Sequence, residues 1–232
     1  MRSFPFRPAG IAPVLVVAPH PDDETLGCGG SIALFAKAGA RVHVAIVSDG
    51  AASHPTHPLF GPKQIADRRR AEALRATSIL GVDPADVSFL NAPDGKLPTL
   101  ELALRNEVVS RIATLLREIV PKAILLPCRC DGSTEHDAVF KLVTMALSVS
   151  GVCPRIFEYP VWAWRNPHLL VRPMLLSRGV WSVDISTVGA IKAAALDSYA
   201  SQLLPIAPEE HAALPSEFVA EFRYPTEYLF ER

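Results

Sequence analysis

At 232 residues the chain has room for one large domain or two small ones around a substantial core. Apolar residues make up 49% and charged residues 20%, with a formal net charge of −1, so there is neither the basic footprint of a nucleic-acid binder nor a polybasic membrane patch. No apolar run approaches the ~20 residues of a membrane span, and four cysteines (Cys28, Cys128, Cys130, Cys153) in a chain this long do not form a disulfide scaffold. The N-terminal stretch MRSFPFRPAGIAP has arginines but no apolar signal core. A reduced, cytoplasmic protein is expected.

Residues 14–18, VLVVA, read as a strand covered on both faces. The strand runs into PHPDDETLGCGG, where Gly27, Gly29 and Gly30 break the pattern before it resumes at Ile32. His20, Asp22, Asp23 and Glu24 are thereby placed in a strand-to-helix turn. A second strand, 42–47, ends in Ser48-Asp49-Gly50 and is followed by the loop SHPTHPLFGP and a helix over 65–80, closed by Gly81. The third strand, 87–90, ends in Asn91-Ala92-Pro93-Asp94-Gly95. Val108, Ile112, Leu115 and Ile119 then mark one face of a helix. A fourth strand, 123–126, leads into the loop CRCDGSTEH, a helix over 137–148 and a strand over 156–159. Beyond Val161 the pattern loosens into tryptophans, prolines and one more helix near 188–201.

This alternation predicts an α/β fold: a single Rossmann-like domain over residues 1–232, mainly a parallel sheet with helices on both faces. Residues 1–12 are a candidate for disorder. In such a fold the C-terminal strand ends share one edge, so segments 20–24, 48–50, 91–95 and 131–136 converge on one crevice.

Three adjacent carboxylates repel one another and call for something positive. A dinucleotide fingerprint fits poorly: Gly27 and Gly29 supply its first glycines, but Ile32 stands where the third belongs. The intervening acids would also repel a pyrophosphate. A metal fits better. His20 and Asp23, three apart in a turn, can ligate one divalent ion, and a third ligand from elsewhere would leave a position for water. Asp22 beside them could take a proton from that water. The plainer alternative, in which His20 and Asp22 only cap the next helix, stays open.

The stretch Pro19-His20-Pro21-Asp22-Asp23-Glu24 resembles the signature of the PIG-L/LmbE family of zinc-dependent N-acetylglucosaminyl deacetylases. Supporting segments follow in order: Ser48-Asp49-Gly50; Arg69-Arg70-Ala71-Glu72 running on to Leu80-Gly81-Val82; FLNAPDGKL from Phe89; Glu158-Tyr159-Pro160-Val161-Trp162; and KAAALDSYASQ from Lys192. The resemblance implies that His20, Asp23 and His136 bind Zn²⁺, or another divalent ion such as Fe²⁺, and that Asp22 is the general base. It implies hydrolysis of an acetamide by metal-activated water on an N-acetylated amino-sugar conjugate, or on a polysaccharide or lipid-linked precursor. Arg69 and Asp94 would approach substrate. No nucleic acid and no membrane span are implied, and homo-oligomerisation is left open.

The loop that supplies the third ligand usually reads D-x-H-x-D-H in this family. Here it reads Asp131-Gly132-Ser133-Thr134-Glu135-His136, with Glu135 as the second acid and Ser133 in place of a histidine. That histidine is thought to act as an acid, a role a serine does not fill near neutral pH. Three explanations compete: His54 or His57 substitutes, Asp22 acts first as base and then as acid, or the protein is a catalytically impaired sugar-binding or regulatory protein. Asp131 is expected to order the loop or to support His20. Arg69 could instead pair with Glu72, Asp94 could simply serve its turn, and Trp162 and Trp164 could form a sugar-stacking wall or part of the core. Cys128 and Cys130 are expected as free thiols, His43 as packed, and His168 and His211 as solvated.

Overall fold

In the computed structural model, which describes residues 3–5 and 10–232, the chain folds around a sheet of eight strands. These are β1 (Ser3–Pro5), β2 (Val14–Ala18), β3 (Val42–Ser48), β4 (Val87–Ala92), β5 (Ala123–Pro127), β6 (Arg155–Tyr159), β7 (Gly179–Asp184) and β8 (Thr226–Glu231). Their order across the sheet is β1-β7-β8-β6-β5-β2-β3-β4. Only β8 runs against the rest, pairing antiparallel with both β6 and β7. The helices are α1 (Asp23–Lys37), α2 (Pro62–Ile79), α3 (Leu102–Ile119), α4 (Thr134–Ser150), α5 (Val171–Leu176), α6 (Gly189–Asp197), α7 (Ala200–Leu203) and α8 (Ser216–Ala220). None among the described residues is long and apolar enough to cross a membrane.

The two-sided burial expected of residues 14–18 follows from the period of two along a strand. Val14, Val16 and Ala18 join the apolar layer beneath α1, α2 and α6, while Leu15 and Val17 join the layer beneath α3 and α4. In the parallel core, order β4-β3-β2-β5-β6, the chain runs outward from β2 to β4 and then returns to begin again at β5. The loops leaving β2 and β5 therefore part toward opposite helix layers, and a crevice opens between them.

The expected elements are present between Val14 and Tyr159, with boundaries moved by a few residues. One local expectation is corrected. Helix α1 starts at Asp23, directly after the turn, and carries Gly27, Gly29 and Gly30 inside it. None of the three forms the turn, and Gly27 and Gly30 admit close neighbours. A Cβ at Gly27 would lie 2.1 Å from Tyr159 Cδ2, and one at Gly30 would lie 2.6 Å from Ile185 Cγ2. The backbone leaves helical geometry at Cys28, with φ −147°, between these two contacts.

Residues beyond Val161 supply elements that were not expected, β7, β8, α5 and α8. Glu227 of β8 binds them to α1: its carboxylate accepts Gly30 N at 2.7 Å, Ser31 N at 2.8 Å and Lys192 Nζ of α6 at 2.7 Å. Within the stretch proposed for disorder, Ser3–Pro5 pairs with β7, while residues 1, 2 and 6–9 lie outside the described residues. Gly27→Ala is expected to destabilise the fold by ~1–3 kcal/mol through overpacking against Tyr159. The urea midpoint reads this directly, and an unchanged midpoint would show that the ring has room to move.

Candidate active site

Strand β2 ends in a buried acidic turn. Asp22, Asp23 and Glu24 are 6%, 2% and 0% exposed. Each has its own partners. Glu24 accepts from the Thr25 and Tyr199 hydroxyls and from Asp22 N. Asp22 holds a strained backbone, φ 136° and ψ −32°, a region that residues with side chains rarely adopt. Arg69 of α2 fixes that conformation. Its Nη2 donates to Pro21 O at 2.7 Å and to Asp22 Oδ2 at 3.0 Å, and its Nη1 donates to Gly50 O at 3.0 Å.

Asp23 lies between two histidines. His20 Nδ1 is 2.9 Å and His136 Nε2 3.4 Å from Asp23 Oδ2. Ligand atoms of His20, Asp23 and His136 all fall within 4.8 Å of one another, so the three residues assigned to a metal do converge. His136 comes from the first turn of α4 and is fully buried. Its Nδ1 faces Asp131 Oδ2 at 2.9 Å, and its Nε2 has no hydrogen-bond partner among the described residues. An imidazole whose Nδ1–H is taken by a carboxylate turns its Nε2 lone pair toward a cation, the arrangement common to metal-bound histidines. Two histidines and one carboxylate suit zinc or ferrous iron. The residues therefore fit a divalent ion on their own geometry.

Electrostatics agree. Burial alone would lower both histidine pKa values, but the surrounding carboxylates outweigh it. His136 is raised to about 9 by Asp23 and Asp131, and His20 is held well above the usual range by Asp23, Asp94 and Glu135. Burial opposes the charge on Asp23 too, yet His136 and His20 keep it ionised. A field that holds protons this strongly would also hold a divalent cation in their place.

Several assignments change once distances are known. Asp131 supports His136 and not His20; its Oδ2 also accepts Trp162 N at 3.2 Å, and its Oδ1 accepts Ser133 N at 3.2 Å. His20 is steadied instead by Glu135 Oε2 at 2.7 Å and Asp94 Oδ1 at 3.2 Å, both on its Nε2. Glu135 in turn accepts Gly95 N and Leu97 N, which joins the loops after β4 and β5. Asp94 also accepts Ala52 N, so it organises loops as well as facing the crevice. Arg69 does not pair with Glu72, whose carboxylate takes Ser201 N and Oγ.

Ser133 caps α4, its Oγ accepting His136 N at 3.4 Å. Neither histidine offered as its substitute lines the crevice. His57 Nε2 donates to Ile206 O while its Nδ1 accepts Leu59 N and Phe60 N. His54 is held by Ser53 Oγ and lies 3.5 Å from Glu209. His43 is packed against Ser88, His168 and His211 are exposed, and all four cysteines are free.

The crevice encloses a cavity of about 350 Å³. Trp162 forms part of its wall, stacked on Phe218 at 4.9 Å, whereas Trp164 does not reach it. Gln202, Ser53, Leu26 and Leu214 also line it and were missed from sequence. Gln202 ends the quoted C-terminal segment, but nothing in its spacing points into the crevice.

Fold and site together define an α/β protein with a buried two-histidine, one-carboxylate cluster at the switch point of its sheet. The family model PIG-L, described as GlcNAc-PI de-N-acetylase, matches residues 15–147, and the chain belongs to that family. The chain is 29% identical to the diacetylchitobiose deacetylase of Thermococcus kodakarensis over 194 residues, 82% of this chain and 69% of that protein. It is 26% identical to the 2′-N-acetylparomamine deacetylase of Streptomyces fradiae, covering 81% of this chain and 72% of that one. Among solved structures, the 4-carboxy-2-hydroxymuconate hydratase of Pseudomonas putida superposes with a TM-score of 0.69 at 21% identity over 94% of each chain. The N,N′-diacetylchitobiose deacetylase of Pyrococcus horikoshii gives 0.65 at 20% identity over 94% of this chain and 83% of that one. At such identities these structures share the fold alone.

Arg69 is a test of structural against ligand-binding roles. Arg69→Met leaves a buried carboxylate and two carbonyls without their donor, and is expected to cost ~3–5 kcal/mol of stability by chemical denaturation. An arginine serving only substrate would leave the unfolding curve in place.

Proposed function

We propose that this chain is a metal-dependent hydrolase that removes an N-acetyl group from an N-acetylated amino-sugar conjugate. The observation that carries the proposal is the unpartnered, buried His136 Nε2 facing His20 and Asp23, with the carboxylate of Asp22 beside them. The deacetylases among the chain's relatives support the choice of substrate class. Because a hydratase shares the fold, the chemistry is argued from the site.

His20, Asp23 and His136 would hold the ion, zinc or another divalent metal, which when bound supplies Lewis acidity to water and to an amide carbonyl. Asp22 supplies the proton chemistry. Burial raises its carboxyl to about 7 against the opposing pull of Arg69, which suits a base working near neutral pH. One of its oxygens is engaged by Arg69, and the residue lines the cavity. Asp22 takes a proton from the attacking water, the oxygen adds to the carbonyl carbon, and the carbon–nitrogen bond breaks. The same carboxyl returns the proton to the departing nitrogen, giving acetate and a free amine.

With Ser133 capping a helix and neither loop histidine lining the crevice, a single shuttling carboxyl accounts for both transfers. Trp162 offers an apolar face to a sugar ring, and Gln202 and Ser53 offer hydroxyl partners. A small conjugate, or the amino-sugar end of a polysaccharide or lipid-linked precursor, fits this cavity.

Two measurements on one set of variants test the scheme. Alanine at His20, Asp23 or His136 is expected to strip the metal, read by elemental analysis of purified protein. Asp22→Asn is expected to keep the metal and lose ~10²-fold or more of acetate release. Stoichiometric metal in all three alanine variants would defeat the ligand set. Metal without acetate from any N-acetyl amino sugar would favour a sugar-binding or regulatory protein.

Ser133→His restores the residue that the family carries at this position. With Asp22 shuttling, acetate release is expected to change by less than ~10-fold, and the lost cap to cost ~1 kcal/mol. A larger gain, with a new ionisation in the range where histidine titrates, would show that the wild-type protein lacks its acid.

A further inference from the structure

A second cavity, of about 550 Å³, opens between α4 and α5 and shares no lining residue with the crevice. Phe140 and Met145 of α4 and Pro173 and Leu176 of α5 form its apolar wall. Helix α5 is apolar on two sides. Leu170 and Met174 pack inward on Cys128, Val180 and Phe230, yet Val171, Leu175 and Leu176 are 52%, 78% and 57% exposed. An outward face of this kind marks a binding surface more than a solvated helix.

The cavity is lined by four cations, Arg129, Lys141, Arg172 and Arg232, against one carboxylate, Asp137, whose Oδ1 accepts Cys130 N at 2.7 Å. Arg129 and Arg232 both engage the fully buried Glu158, and the Arg129 guanidinium lies 4.1 Å above the Phe140 ring. Lys141 and Arg172 are exposed and have no carboxylate partner among the described residues. The surrounding segment, residues 159–183, contains three arginines and no acidic residue.

We infer that this cavity binds an anionic single-chain amphiphile, a hydrocarbon chain ending in a carboxylate or phosphate, with the chain between α4 and α5 and the head at Lys141 and Arg172. The volume lies in the range of small-molecule sites, and the two cations without a carboxylate partner match one anionic head. A second copy of this chain would bring the same cations against them, which disfavours a symmetric contact. A flat bilayer would meet Leu175 and Leu176 but would not fill the cavity. The inference rests on neither the metal site nor the deacetylase proposal.

The test titrates the full chain, prepared without detergent, with monomeric dodecyl phosphate, dodecanol, inorganic phosphate and phosphatidylglycerol vesicles. Cys130 lines the cavity and Cys153 is exposed elsewhere, so the ratio of their alkylation rates by iodoacetamide reports occupancy. Dodecyl phosphate is expected to bind and to slow alkylation of Cys130 but not of Cys153. Lys141→Gln with Arg172→Gln should weaken that binding by ~10-fold, and Thr144→Trp, at an exposed position on the wall, should abolish it. Acetate release is expected to be unchanged in both variants, which keeps this site separable from the catalytic one. Inorganic phosphate or dodecanol binding as well as dodecyl phosphate would overturn the inference. So would vesicle binding without binding of the monomer.

Discussion

Three consecutive buried carboxylates at the end of β2 set the terms for the rest of the site. Leaving even one such charge unpaired in the interior costs several kcal/mol. Asp22, Asp23 and Glu24 are each stabilised differently: by the Arg69 guanidinium, by two imidazoles, and by two hydroxyls with a backbone amide. Helix α2, helix α4 and the segment at Tyr199 are thereby tied to one short turn. In these arrangements two buried nitrogens are left without a hydrogen-bond partner among the described residues, Arg69 Nε beside Asp22 and His136 Nε2 beside Asp23, and only the imidazole nitrogen can offer a lone pair. The ion of the proposed function would sit there.

Topology decides which partners can reach the turn. Since β2 and β5 are neighbours while their connections run to opposite layers, the loop after β5 brings His136 and Glu135 against the loop after β2. Gly50, after β3, has φ 71°, and a Cβ there would lie 2.9 Å from Arg69 Nη1. A glycine is therefore required for the arginine to pass and clamp Asp22. The loop after β4 closes the ring through Asp94, which touches both His20 and Ala52.

The alternation of strand and helix up to Tyr159 was legible because each strand there is buried on at least one face and each helix keeps its period. Beyond Val161 the chain gives no such signal. Strand β8 lies between β6 and β7, far from it in sequence, and its place depends on contacts such as Glu227 with Lys192 that no local pattern encodes. Gly27 and Gly30 look like breakers in a sequence, and only Tyr159 and Ile185 show them to be points of close packing. In the site, the convergence of His20, Asp23 and His136 followed from motif and topology. Which acid supports which histidine did not, because Asp131 and Glu135 both follow β5 and differ only in the direction their side chains take.

The loop after β5 shows what the departure at Ser133 changes and what it leaves intact. Asp131 spends both carboxylate oxygens on holding His136 and the surrounding backbone, and Glu135 spends both on His20 and the Gly95–Leu97 amides. Everything that positions the two imidazoles is thus in place. The serine contributes a helix cap, which a histidine would give up. A change confined to the one side chain that would only donate a proton leaves binding and orientation untouched and shifts the proton chemistry to its neighbours. Arg69 cannot take that role, since a guanidinium keeps its protons across the working pH range. In the proposed mechanism the burden then falls on Asp22, whose burial raises its proton affinity and whose Arg69 contact keeps it ready to ionise again.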